Sequence, residues 1–328
     1  MNSPKQATVG TPKKAATPFI IGMRDAYFNA LYKIFTKDKK AILVSADNGA
    51  PTMDQISDLS GQFRNVGIAE EQMIGMACGL ALEGRRPWVY AINPFITFRA
   101  LEFIKLDVCA MDLPIVMLGV GAGFAYDIMG PTHHSVGSLA VMRVWPNLKI
   151  YSIADSTTAA ALADINYRDR APQYVLFDRT GLPDLYSGKD VNFNDGLVVA
   201  KPGTDGYIVA SGIMVHAALK VAHILQEKGQ NIGVIDLFRL KPVNEELLLK
   251  TIQKAPRVIS LEEDYLHGGL GSILAEIFVD RGITTPLLRI GQPDKFAFEM
   301  GGREAIWRAH GLDEAKVASK IARWLSAS

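Results

Sequence analysis

Two adjacent carboxylates, Glu70 and Glu71, stand at the head of the stretch NVGIAEEQMIGMACGLA, Asn65 to Ala81. Acidic side chains in the first turn of a helix complement its unpaired N–H groups and its positive dipole end, so capping is one reading of the pair. The interior of the segment adds a second. Gly75, Ala77, Gly79 and Ala81 contribute little packing volume, and the glycines cost helix stability, unless another surface must approach closely. A helix crowded in that way buries its acidic end, and a buried carboxyl group is suited to proton exchange near neutral pH.

Other residues are candidates for a site only in combination. His133 and His134 are consecutive in GVGAGFAYDIMGPTHHS, and neighbours on an extended chain point in opposite directions, so they are poor joint ligands for one metal. One of them facing a cleft could act on a bound group, and without a named partner it is a structural loop residue. Phe95 and Phe98 lie three apart at the start of a predicted helix, on one face, either as ordinary core or as a ring platform for a planar heterocycle. The G-x-G-x-G of residues 119–123 does not open a helix directly, because Pro131 and about ten residues of loop intervene, which argues against a dinucleotide fingerprint.

Placing these residues requires a frame, and the chain supplies an alternating one. A helix from Met23 to Phe35 precedes the strand AILVSA (41–46), the small-residue helix, the strand WVYAI (88–92), a helix from Phe95 to Ala110 and the strand PIVMLGV (114–120). A helix through Met142, the strand LKIYSI (148–153), a helix over 156–169 and the strand YVLFD (174–178) follow. Beyond the polar stretch GLPDLYSGKDVNFNDG a second alternation begins: YIVAS, a helix from Ile213 to Glu227, NIGVIDLF, a helix from Asn244, RVISLEE, a helix from Gly269, LLRIG and a last amphipathic helix from Asp313 to Trp324. Short apolar runs alternating with helices predict an α/β protein of two tandem parallel-sheet domains. The expected divisions are a flexible arm over residues 1–19, rich in Ser, Thr, Pro and Lys, a first domain over 20–182, a linker over 183–194 and a second domain over 195–328. Ligands of open parallel sheets lie beyond the carboxyl ends of the strands, so the loops SADNGAPT, NPFITF and GVGAGFAYDIMGPTHHS are where chemistry is expected.

The bulk composition narrows the partners. Lys and Arg number 35 against 34 Asp and Glu, and a net charge of +1 gives no electrostatic case for a nucleic acid or a membrane surface. Cys78 and Cys109 both fall in apolar helical patterns and read as small buried hydrophobes in a reducing compartment. No apolar run approaches the roughly 18 residues of a membrane span, and no signal-peptide core is visible, so a cytoplasmic location is expected.

Taken together, NVGIAEEQMIGMACGLALEGRRP, PFITFRALEFIKLDV, GPTHH and EEDYLHGGLGSILAE resemble the C-terminal half of a transketolase, and the chain is similar to the separately encoded C-terminal subunit of two-chain transketolases from about Ile20 to its end. The resemblance implies a thiamine-diphosphate pyrimidine-binding domain followed by a transketolase C-terminal domain. It implies that Glu70 is the acid/base partner of the aminopyrimidine N1′, with Ile68 in the same motif, Asp47 and the rings of Phe95 and Phe98 beside the cofactor. It further implies that His133 touches donor oxygens and moves protons, with His134 beside it, and that Arg24 and Arg179 (in FDRTGLP) hold a sugar phosphate. Two departures stand out: Met129 replaces the usual aspartate before GPTH, with Asp127 close by, and glycine in GVGAG replaces a histidine of the family. Both point to a modified, branched or nucleotide-linked sugar.

The Gly-Asp-Gly motif that binds diphosphate through a divalent metal has no counterpart in this sequence. The resemblance therefore implies a separately encoded N-terminal subunit that supplies Mg2+ or Ca2+, in a heterotetramer of two chains of each kind. The expected function is ketol transfer. The alternatives are decarboxylating carbon–carbon ligation of the deoxyxylulose-phosphate-synthase type, the beta subunit of a 2-oxo-acid dehydrogenase component, and a non-catalytic subunit of the same fold.

Overall fold

Fully buried runs such as AILVS and VMLGV have no solvent face, so they form strands covered on both sides by helices. A computed structural model describes residues 22–187 and 191–327, and the expected arm over 1–19, Ile20 and residues 188–190 of the expected linker lie outside the described residues. The strands in chain order are β1 (Ala41–Ser45), β2 (Phe63–Asn65), β3 (Arg86–Ile92), β4 (Val116–Val120), β5 (Lys149–Ser152), β6 (Gln173–Phe177), β7 (Val198–Lys201), β8 (Gly206–Ala210), β9 (Ile232–Asp236), β10 (Arg239–Lys241), β11 (Val258–Tyr265) and β12 (Leu287–Gln292). They make a seven-stranded sheet in the order β10-β5-β6-β4-β3-β1-β2 and a five-stranded sheet in the order β12-β11-β8-β9-β7. Both are parallel except at one edge each, where β10 runs against β5 and β7 against β9.

β10 comes from the second half of the sequence yet closes the first sheet, with Arg239 opposite Tyr151 and Lys241 opposite Ile150. The short strands β2, β7 and β10 and the helix Arg303–His310 are not legible as apolar runs: FRN and VVAK are edge segments with no fully buried residue, and RLK buries only its central Leu240.

The helices Met23–Phe35 and Ser156–Arg168 cover one face of the first sheet, pinned by the Tyr27 hydroxyl donating to Asn166 Oδ1 at 2.9 Å. The opposite face carries the helix Glu70–Leu82 and the segment from Phe95 to Ala110, and its core continues through Leu270, Ile273 and Leu274 into the second sheet. That segment is not the regular α-helix its sequence predicts. Its first and last parts, Phe95–Arg99 and Ile104–Ala110, wind in the wider π form around a single α turn, a geometry frequent at functional sites.

Buried charge holds the two sheets together. Arg303 Nη1 donates to Asp178 Oδ2 at 2.6 Å, its Nε and Nη2 donate to Glu263 at 2.7 and 2.6 Å, and Nη2 also reaches the Ala122 carbonyl at 2.9 Å. Three further buried carboxyls lie in the second half. Glu262, pushed up to about 8 by burial, accepts the Leu270 and Gly271 N–H groups at 2.6 and 2.9 Å. Asp264, pushed up to about 6 by burial, accepts the Gly137 N–H. Asp236, pushed up to about 8 by burial, accepts the Tyr186 hydroxyl at 3.0 Å. Among the described residues no helix is long and apolar enough to cross a membrane.

Candidate active site

The loops beyond the carboxyl ends of β1, β3, β4 and β6 converge, as the topology of a parallel sheet requires. Glu70 opens the helix Glu70–Leu82 and is 2% exposed, whereas Glu71 is only half-buried, so the pair divides as a buried group and a surface one. Burial of an acidic side chain needs a partner. It is supplied by Arg99, whose Nη1 donates to Glu70 Oε2 across 29 positions of sequence.

From Arg99 a continuous row of rings and cations crosses the site. The Arg99 guanidinium carbon lies 4.6 Å from the centroid of the Phe95 ring. Phe95 meets His133 edge-on, with centroids 5.1 Å apart, and His133 lies 5.9 Å from Tyr126. The guanidinium of Arg179 lies over the other end, 5.0 Å from the Tyr126 ring. Burial pushes the Tyr126 hydroxyl up, and the nearby Arg179 and Arg24 guanidinium groups pull against that shift, so both arginines bear on one ring. Thr132 Oγ1 pairs with His133 Nδ1 at 2.9 Å, which fixes the imidazole and leaves its Nε2 for a ligand.

The remaining predicted residues fall into three groups. Asp47 is exposed, with φ at +50°, and is joined to Asn65 by two hydrogen bonds: its N–H donates to Asn65 Oδ1 at 3.1 Å and Asn65 Nδ2 donates back to its carboxylate at 3.3 Å. Since Asn65 Oδ1 also accepts the Gly67 N–H at 2.9 Å, this pair holds the loop that leads into Glu70. Ile68, in that loop, is 75% exposed and covered by nothing in this chain among the described residues. Phe98 and His134 are diverted to a neighbouring cleft of about 250 Å³ lined also by Phe124, Pro131, Tyr265 and Phe296.

The wide turn thus splits the expected single face, setting Phe95 on His133 and Phe98 beside His134. The two histidines do point apart: His134 packs edge-on against Phe124 at 4.9 Å, and burial holds its proton affinity below the usual histidine range.

The two departures in the β4 loop also have physical accounts. Gly121 has φ at +98°, and a Cβ there would run into the Tyr126 ring, so the ring occupies space that a larger residue would need. Asp127 is committed elsewhere: Oδ2 accepts the Arg303 N–H at 2.9 Å and Oδ1 its neighbour Ile128 N–H at 2.8 Å, while Met129 is exposed. Asp178, which accepts Arg303 at 2.6 Å, also accepts the Thr180 N–H at 2.9 Å, so the second sheet braces the turn that carries Arg179.

Arg99, Tyr126, Asn65 and Arg303 are the participants that the sequence does not single out. Each has at least one partner in a distant segment, Glu70 for Arg99, Arg179 for Tyr126, Asp47 for Asn65 and Asp178 for Arg303, and no local spacing encodes that. The thiols of Cys78 and Cys109 are buried and each pushed up to about 12 by burial, which makes them inert packing groups. Among the described residues no three His, Cys, Asp or Glu side chains gather as a metal site.

Comparison with known proteins supplies a context for this geometry. Residues 20–184 match the family described as transketolase, pyrimidine binding domain, and residues 195–317 match transketolase, C-terminal domain. The chain is 32% identical over 298 residues to one subunit of the apulose-4-phosphate transketolase of Phocaeicola vulgatus, covering 90% of this chain and 95% of the relative. It is 33% identical over 324 residues to the 1-deoxy-D-xylulose-5-phosphate synthase of Gloeobacter violaceus, covering 97% of this chain and 50% of that enzyme. Among solved structures, a split-gene transketolase described as an inactive beta4 tetramer aligns with a TM-score of 0.84 and 31% identity, over 93% of this chain and 99% of its own.

Proposed function

The chain belongs to the transketolase family as a transketolase-like C-terminal subunit, and from that premise we propose that it supplies the pyrimidine half of a thiamine-diphosphate site. In this reading the enzyme is a transferase that moves a two-carbon ketol unit between phosphorylated or modified sugars. The observation that carries the reading is the buried Glu70 carboxylate, linked through Arg99 to the Phe95 ring, which in turn makes a T-shaped contact with His133.

The residues fit the cofactor on chemical grounds. A carboxyl group shielded from water can share a proton with a ring nitrogen, and an aromatic face accepts a planar heterocycle. Thiamine diphosphate, when bound, supplies the carbon centre that stabilises negative charge during ketol transfer. Glu70 holds the proton shared with N1′ of the aminopyrimidine, and Phe95 flanks that ring. His133, fixed through Nδ1 by Thr132, presents Nε2 to a donor oxygen. Arg179 and Arg24, drawn together at Tyr126, hold the sugar phosphate by charge-assisted hydrogen bonds. Asp47 positions the Glu70 loop through Asn65, and Ile68 is left for contact with the cofactor or a second chain.

The diphosphate and its Mg2+ or Ca2+ fall to a separately encoded N-terminal subunit, in a heterotetramer. Gly75 and Gly79 support this, since nothing lies within 4 Å of a Cβ placed at either, and the helix face they share with the exposed Leu82 is open for close approach. The relative's designation as one subunit of its enzyme, and the inactivity stated for the beta4 tetramer, are in line with a site completed by another chain. The loss of the usual carboxylate at Met129 and the commitment of Asp127 to Arg303 favour a modified or branched sugar as substrate, and the relative in Phocaeicola vulgatus is named for a sugar phosphate, apulose 4-phosphate. Similarity to deoxyxylulose-phosphate synthase supports a second reading, a decarboxylating ligation.

Calorimetric titration of thiamine diphosphate and Mg2+ into the chain alone, and into the chain co-purified with a subunit carrying the diphosphate motif, tests the proposal. Tight binding in the mixture alone is the expected result, and tight binding by the isolated chain would overturn the half-site. Carbon dioxide release from pyruvate by the mixture would replace ketol transfer with the second reading.

A further inference from the structure

Glu70 and the face of Phe95 are the two surfaces that the proposed cofactor ring requires, and one side chain of this protein already spans both. Arg99 places a planar, cationic group 4.6 Å from the Phe95 centroid while donating to Glu70 Oε2, and among the described residues it is the hydrogen-bonding partner of that carboxylate. A guanidinium is flat, delocalised and rich in N–H donors, so it stacks on a ring and grips a carboxylate at once. Those are the features of an aminopyrimidine whose ring nitrogen carries a hydrogen.

The local winding sets this arrangement up. Phe95 and Arg99 are the first and last residues of the π-turn Phe95–Arg99, four positions apart in a helix wider than the α form. Arg99 keeps 39% of its side chain exposed while Glu70 keeps 2%, so the carboxylate is fixed and the guanidinium has an open route outward.

We propose that Arg99 is an internal placeholder for the cofactor's aminopyrimidine: it occupies the ring's place on Phe95 and Glu70 in the free subunit and must swing out for the cofactor to bind. This inference rests on the assignment of Glu70 as the partner of N1′. It gives Arg99 two effects. The ion pair keeps the buried carboxylate partnered before assembly, and its rupture opposes cofactor binding, so affinity is lower than the empty slot would give. Arg99 is a positioning residue, since it acts through Glu70 and not on a substrate atom.

The test compares wild type, Arg99→Met, Arg99→Lys and Glu70→Gln, each as the full chain co-purified with its partner subunit. Each is titrated calorimetrically with thiamine diphosphate and Mg2+ after its melting temperature has shown that it folds. Competition predicts that R99M, which retains apolar contact with Phe95 but gives up the ion pair, binds the cofactor about tenfold tighter than wild type, a difference of about 1.4 kcal/mol. R99K, which keeps the charge without the flat face, falls between them. E70Q binds more weakly than wild type, and in the double variant E70Q/R99M the gain from R99M disappears. Equal or weaker binding by R99M, with E70Q still weakened, overturns the placeholder and leaves the Glu70 assignment standing. If E70Q and R99M both bind as wild type does, the Glu70 assignment fails and the placeholder fails with it. If R99M does not fold, R99K decides: affinity equal to or below wild type rejects competition.

Discussion

A carboxylate buried at a helix start is a group that only a specific partner stabilises, and its removal should be felt at the reacting centre before it is felt in the fold. Glu70→Gln preserves size and the acceptor for Arg99 while removing the ionisable proton. Turnover of the assembled enzyme should fall by at least about 100-fold with the subunit composition unchanged on size-exclusion chromatography. An unaffected rate would remove Glu70 from the chemistry. Arg179 stands at the other end of the row, 5.0 Å from the Tyr126 ring. Arg179→Met should raise KM for a phosphorylated sugar by about tenfold or more with kcat little altered, measured by steady-state kinetics against the unphosphorylated analogue. Glu70, His133 and Phe95 are legible because their types and surroundings in the sequence are unusual. Arg99 and Tyr126 are not, because an arginine in FITFR and a tyrosine in GFAYD carry no local mark of a contact made through space.

Helix form and strand edges set what those residues can reach. The π winding of Phe95–Arg99 sends Phe98 to the His134 cleft, a result that α periodicity in the sequence cannot foretell. Central strands are readable to within a residue or two because their burial is unbroken, whereas β2 and β10, three residues each, depend on the strand beside them. The open face of the helix Glu70–Leu82 gives a prediction at this scale. Gly79→Leu adds a side chain where nothing lies within 4 Å, and leucine exceeds glycine in helix propensity by about 0.8 kcal/mol. The isolated chain should therefore melt at the same temperature or slightly higher, while association with the partner subunit, followed by sedimentation velocity, should be lost. Association as in the wild type would mean that this face is not the contact.

For the molecule as a whole, the second sheet is a brace for the first. Arg303 joins Asp178, Glu263 and the Ala122 carbonyl in a buried network, and Arg303→Met leaves two carboxylates without their cation. Loss of one partner of a buried ion pair costs about 3–5 kcal/mol, to be read from the denaturant midpoint. The raised acids give a pH dependence of definite sign. Burial lifts Asp264 to about 6 and Asp236 to about 8, above their unfolded values, so the folded state binds more protons and these groups' contribution to stability declines as pH rises from about 4 to about 8. Asp236→Asn should flatten that decline in denaturant midpoints measured across the range. The crossing of β10 has a consequence for synthesis. A nascent chain reaches residue 177 with β6 complete, yet the backbone edge of Lys149–Ser152 stays bare until Arg239–Lys241 leaves the ribosome. An uncovered edge is a template for pairing with another chain, so a fragment cut after residue 194 should aggregate through that strand, and a gene divided at the seam between the two sheets would yield a first half that cannot finish its own sheet.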